Sequence, residues 1–117
     1  MTNFSELCVF LCMTPTSMNF SFDRLMGLAE RIFNQDPLSG HLFLFINRYR
    51  NRIKILFWDR DGFCIWYKRI EQQKFIWPRK ADGDVITLTG EQLNWLLDGY
   101  DVIKMKPHKS LDFLHAS

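Results

Sequence analysis

The centre of this chain is a series of short apolar runs separated by polar turns. In Leu42-Phe43-Leu44-Phe45-Ile46 both alternating sets are apolar, which predicts a strand covered on both faces and therefore central. Ile53, Ile55 and Phe57 then alternate with Lys54, Leu56 and Trp58, and Phe63, Ile65 and Tyr67 alternate with Cys64, Trp66 and Lys68. Asp61-Gly62 between these two runs is a short-hairpin signal, because its central residues readily take positive φ. Upstream, Leu7 to Met13 reads as one buried strand. Phe22, Leu25, Met26, Leu28, Ala29, Ile32 and Phe33 recur at three- and four-residue spacing. They predict a helix from about Ser21, its N-cap, to Asn34, stopped by Asp36-Pro37. Downstream, Lys74-Phe75-Ile76-Trp77 is expected to be a short strand ended by Pro78, and Val85-Ile86-Thr87-Leu88 another beyond the turn Asp82-Gly83-Asp84. Thr89, with Gln92 three residues on, opens a second helix as a capping box, and Gly99 closes it.

The order strand, helix, three to five strands, helix predicts an α+β fold. We expect an antiparallel meander sheet of about five strands with both helices packed on one face. One domain over residues 1–103 followed by a basic, mobile tail at 104–117 fits the length of 117 residues. The 47% hydrophobic content is that of a globular chain, and 11 Phe with 4 Trp can supply much of a small core. The apolar run near the start is too short to cross a bilayer and lacks a basic leader, so a cytoplasmic location is expected. Three cysteines, Cys8, Cys12 and Cys64, do not suggest a disulfide framework, and no second close Cys/His pair completes a zinc site beside Cys8 and Cys12. No cofactor and no metal is expected.

The net charge is only +2, but its distribution is uneven. Between Arg48 and Lys80 stand ten Lys and Arg against Asp59, Asp61 and Glu71. Arg48, Arg50, Arg52 and Lys54 lie at every second position, so a strand running through them would put all four on one face. Guanidinium groups fork onto phosphate, and Asn47 and Asn51 add neutral donors. Lys68, Arg69 and Lys74 form a second basic set. The competing explanation is a solvated hairpin tip whose charge protects a sheet edge. Trp58, Trp66 and Trp77 have the chemistry of base-stacking platforms, but sheet tryptophans more often pack inward, and we assign at least two of the three to the core.

Catalytic patterns are lacking. There is no glycine-rich phosphate loop, no His-Glu-x-x-His and no nucleophile with a base and orienting acid. Asp59, Asp61, Asp82 and Asp84 could hold Mg²⁺ in principle, yet Asp59 and Asp61 lead into the hairpin Gly62 and Asp82 and Asp84 flank Gly83, and turn chemistry accounts for them.

Asp36-Pro37-Leu38-Ser39-Gly40-His41-Leu42-Phe43-Leu44-Phe45, then Arg52 to Asp59, then Gly62 to Glu71, then Phe75-Ile76-Trp77-Pro78 form a long ordered pattern. It resembles the accessory protein encoded by the second open reading frame of IS66-type bacterial insertion sequences. That resemblance implies a non-catalytic role in DNA transposition beside a separately encoded transposase, which carries the catalytic carboxylates. It makes DNA and that transposase the expected partners. The chain departs from the family wording at Ser17-Met18-Asn19-Phe20-Ser21, where an acidic and two basic residues are missing; a degenerate, inactive copy is therefore an alternative. The expected DNA contacts are Arg48, Arg50, Arg52, Lys54, Lys68, Arg69 and Lys74. A rival reading is a pure protein adaptor that docks the transposase through Tyr49 and Trp77 as exposed anchors.

Overall fold

The computed structural model describes residues 8–79 and 85–105. The turn at 82–84 and most of the basic tail, 106–117, lie outside them, as do Asp82 and Asp84. Five strands, β1 (Val9–Cys12), β2 (Leu42–Ile46), β3 (Arg52–Asp59), β4 (Gly62–Arg69) and β5 (Val85–Leu88), join two helices, α1 (Phe22–Phe33) and α2 (Gly90–Leu97). A single 3₁₀ turn, Pro37–Ser39, follows α1. The α+β class is as expected, but the sheet is mixed and not a meander. Its order is β4-β3-β2-β1-β5. β1 runs parallel to β2, while the other three neighbouring pairs are antiparallel. The reason is the connection: α1 carries the chain back before β2 starts, and such a crossover returns a strand parallel to its predecessor.

The helices also lie on opposite faces, not on one. Leu25, Ala29 and Phe33 of α1 pack with Cys12, Phe43, Phe45 and Leu56. Leu93, Trp95 and Leu96 of α2 share a second cluster with Val9, Leu11, Leu42, Leu44, Ile46, Ile53 and Ile55. The alternation along β1 and β2 divides these clusters residue by residue, which is why β2 is apolar at all five positions and buried throughout. On the α1 face Phe33 meets Phe43 at 5.3 Å between centroids and Phe45 at 5.9 Å, and Phe10 stacks on Phe43. These tilted and offset ring contacts add to plain burial.

Local details depart from expectation in two places. Residues 74–77 do not form a strand; Phe75 and Trp77 instead run under α2 as core side chains. The β3–β4 hairpin turns on Arg60-Asp61 and not on Asp61-Gly62, since Asp59 pairs with Gly62 and Arg60 takes φ 57°. Trp58 therefore stands opposite Phe63, edge-on at 5.1 Å.

The helix ends follow the sequence closely. Thr89 and Gln92 form the reciprocal capping box. Ser21 is in the N-cap position of α1 without a side-chain cap bond, and the left-handed Asn34 ends that helix. Gly99, just past α2, has φ +95°, and an added Cβ would meet only the Gln73 side chain at 3.6 Å. Gly99→Ala should therefore lose about 1–2 kcal/mol through backbone strain alone. Gly27, inside α1 with nothing near its missing Cβ, should gain roughly 0.5–1 kcal/mol as alanine. Opposite shifts of the thermal midpoint for these two variants check both placements.

Candidate functional site

The basic residues gather at the end of the sheet where β2 stops, β3 starts and β4 finishes. The β2–β3 connection is a compact turn over Asn47–Asn51. Asn47 Oδ1 accepts from the backbone N–H of Asn51 at 3.1 Å and of Arg52 at 3.0 Å, and its Nδ2 donates to Asn51 Oδ1 at 2.7 Å. Arg50 sits at the αL conformation, φ 61°, with its N–H donating to the Asn47 carbonyl. Both asparagines are thus committed to closing the turn, a role that spacing alone does not reveal. The even spacing of Arg48, Arg50 and Arg52 does not place them on one strand face, because only Arg52 lies in β3.

Arg48 and Tyr49 are exposed at the tip, Tyr49 at 73% of its full surface. Arg52 stands directly opposite Arg69 across β3–β4. Two like charges side by side repel, and Glu71 relieves this by bonding Arg69 at 2.7 Å. That contact raises the Arg69 pKa, first through the hydrogen bond and then through the charge of Glu71. Lys74 is exposed nearby in sequence, just before the Phe75 N–H that donates to the Arg50 carbonyl at 2.7 Å. A cleft of about 410 Å³ opens on this end. Thr16, Ser17 and Asn19 form one wall, and Asn47, Arg48, Tyr49 and Arg52 the other, with no carboxylate among the lining residues.

Two of the seven basic residues have other work. Lys54 is 9% exposed, and its Nζ donates to the carbonyls of Met18 and Phe20, each at 2.7 Å. It also stands 5.2 Å from the Tyr67 ring centroid. It fixes the wall of the cleft from behind and does not face outward. Lys68 points to the opposite face of the sheet, where its Nζ donates to the Leu97 carbonyl at 3.2 Å. A cation there complements the negative end of α2. Arg48, Arg50, Arg52, Arg69 and Lys74 remain at the cationic end.

The aromatic expectations divide in the same way. Trp77 is 4% exposed, and its Nε1–H donates to the Cys12 carbonyl at 3.0 Å. It is a core residue and cannot serve as a surface anchor. Trp58 is half-buried, while Trp66 is 41% exposed. Sequence reasoning missed the cleft wall at Thr16–Asn19. Its one signal was the departure from family wording over Ser17–Ser21, which falls on this wall. Among the described residues no group of three or more His, Cys, Asp and Glu could hold a metal ion. None of the described helices is long and apolar enough to cross a membrane.

Comparison with known proteins adds the remaining facts. A family model described as "IS66 Orf2 like protein" matches residues 7–107. The chain is similar to the uncharacterized protein y4hO of Sinorhizobium fredii (strain NBRC 101917 / NGR234), 32% identical over 93 residues that cover 80% of each chain. It is also similar to the uncharacterized protein y4jC of the same strain, 28% identical over 105 residues covering 88% of this chain and 89% of that one. No solved structure matches.

Proposed function

Because the chain belongs to the IS66 Orf2-like family, we propose that it serves insertion-sequence movement as a non-catalytic accessory that holds the DNA backbone beside the element's transposase. The observation that supports this reading best is the cationic end of the sheet. Arg48, Arg50, Arg52, Arg69 and Lys74 lie at that end, and Arg48 and Arg52 line a cleft whose lining residues include no carboxylate. Guanidinium groups on a turn and on paired strand ends suit phosphate neutralisation, which binds many sequences and positions the protein without reading bases. Strand cleavage is left to the transposase.

The test is duplex binding across a salt series, with a terminal-repeat duplex and a scrambled one. Wild-type protein should bind both, with affinity falling steeply as salt rises. Arg48→Ala, Arg50→Gly and Arg52→Ala combined should reduce the slope of log K against log salt by about 3, since each lost phosphate contact removes close to one unit. Glycine is chosen at position 50 to suit its positive φ. Unchanged affinity and slope in the triple variant would overturn the DNA surface. The exposure of Tyr49 favours a second reading, in which the turn docks the transposase directly; Tyr49→Ala would then weaken that complex at high salt, where ion pairs are screened.

A further inference from the structure

We propose that the free edge of β4 pairs antiparallel with β4 of a second copy of this chain, about a two-fold axis at Ile65. β4 is an outermost strand of eight residues, every one in continuous register with β3. It contains no proline and no bulge. Among the described residues its outer backbone groups have no partner in the chain. Such an edge is a template for a further strand unless something blocks it. The usual block is a charged side chain, and here both are drawn away. Lys68 reaches over the sheet to the Leu97 carbonyl, and Arg69 is held by Glu71. The edge also carries two large exposed aromatics, Trp66 at 41% and Tyr67 at 49%, on opposite faces of one strand. Trp66 belongs to neither core cluster.

Symmetry and charge select the occupant and its register. A two-fold that extends the sheet must place side chains of the same face opposite one another, so the axis falls on a residue and not between two. Centred on Ile65, the pairing sets Phe63 opposite Tyr67 of the second copy and Cys64 opposite its Trp66. It also places Asp61, the last turn residue before β4, toward the second copy's Arg69, so that this guanidinium can bridge its own Glu71 and the second copy's Asp61, once at each end of the dimer interface. Moving the axis to Trp66 sets Arg69 against Phe63 and leaves no ion pair. Moving it to Cys64 sets Arg60 against Lys68. Aromatic pairs and opposite charges each favour a strand register, and like charges oppose it. The Ile65 register alone satisfies both. The two Arg69 side chains would then stand about 27 Å apart along the joined sheet, eight strand rises. One dimer would thus present two cationic ends.

The proposal stands apart from DNA contact, and its test uses no DNA. Sedimentation equilibrium of the full chain from about 1 to 200 µM, a range suited to a modest interface, should show mass rising from 14.0 kDa toward twice that value. Trp66→Lys and, separately, Asp61→Arg should each weaken dimerisation at least about tenfold, while the double variant Asp61→Arg with Arg69→Asp should restore it. Far-ultraviolet circular dichroism on each variant confirms that the monomer is folded. A wild-type chain that stays monomeric throughout would overturn the proposal. So would a dimer that none of these substitutions affects, which would place the interface elsewhere.

Discussion

Trp77→Ala is expected to lower the unfolding free energy by about 3–5 kcal/mol, the range for truncating a buried tryptophan. Domains of this size hold roughly 5–15 kcal/mol in total, so the variant should be marginal or unfolded at 25 °C. The indole lies between the sheet and α2 with Leu11, Leu44, Phe75 and Leu96 in the same cluster. Alanine leaves a void that these neighbours fill only in part. It also removes the donor to the Cys12 carbonyl, a buried acceptor on a central strand. Trp77→Phe separates the two effects. It keeps most of the volume and loses the hydrogen bond, so a cost of about 1–3 kcal/mol is expected. Urea denaturation followed by circular dichroism measures both. If Trp77→Ala unfolded at the wild-type midpoint, Trp77 would not lie in the core.

The same residue shows where the sequence is legible and where it is not. The apolar runs locate all five strands and both helices, because burial on one or two faces leaves a period that local inspection can read. The capping box at Thr89 is likewise local chemistry, and it forms as expected. Lys74 to Trp77 has the composition of a strand, yet Phe75 and Trp77 alternate because they face one helix across an irregular segment. Period two marks alternate burial; it does not show that a neighbouring strand is present to pair with. Nor does any local pattern reveal that β1 and β2 are parallel or that the helices occupy opposite faces. Those facts follow from how the α1 crossover returns the chain, and only the all-apolar β2 hints at a sheet covered on both sides.

The candidate site was legible in charge and not in geometry. The excess of Lys and Arg after residue 47 is visible in the sequence, and the structure gathers Arg48, Arg50, Arg52, Arg69 and Lys74 at one end of the sheet. Spacing then suggested one face for Arg48, Arg50, Arg52 and Lys54, but the Asn47–Asn51 turn breaks the strand period between them. Lys54 could have been recognised as different. It is the only one of the four with apolar residues on both sides, Ile53 and Ile55, as expected for a lysine placed inside a sheet. What the sequence cannot show is the partner of such a residue, here two carbonyls more than thirty positions earlier in the chain.

Lys54→Met should therefore act on stability first and on binding only through it. Methionine keeps much of the aliphatic stem beside Tyr67 but cannot donate to the Met18 and Phe20 carbonyls. Hydrogen bonds from a charged donor are worth about 1.5–3 kcal/mol each. Water reaching the freed carbonyls returns part of that, so a net loss of about 2–4 kcal/mol is expected. Urea denaturation gives the loss, and amide hydrogen exchange locates it, with faster exchange over 18–25 as the loop leaves the sheet. Arg48→Ala, an exposed tip residue, should leave both readings near wild type while still weakening DNA. A Lys54→Met protein with wild-type stability and exchange would show that the lysine does not hold this wall. The contacts also bear on the altered stretch Ser17–Ser21. Lys54 grips its backbone carbonyls and not its side chains, so changes of residue type there leave the grip intact. The cleft wall keeps its position while its own charge is free to vary, and loss of charged residues in this stretch does not by itself dismantle the site.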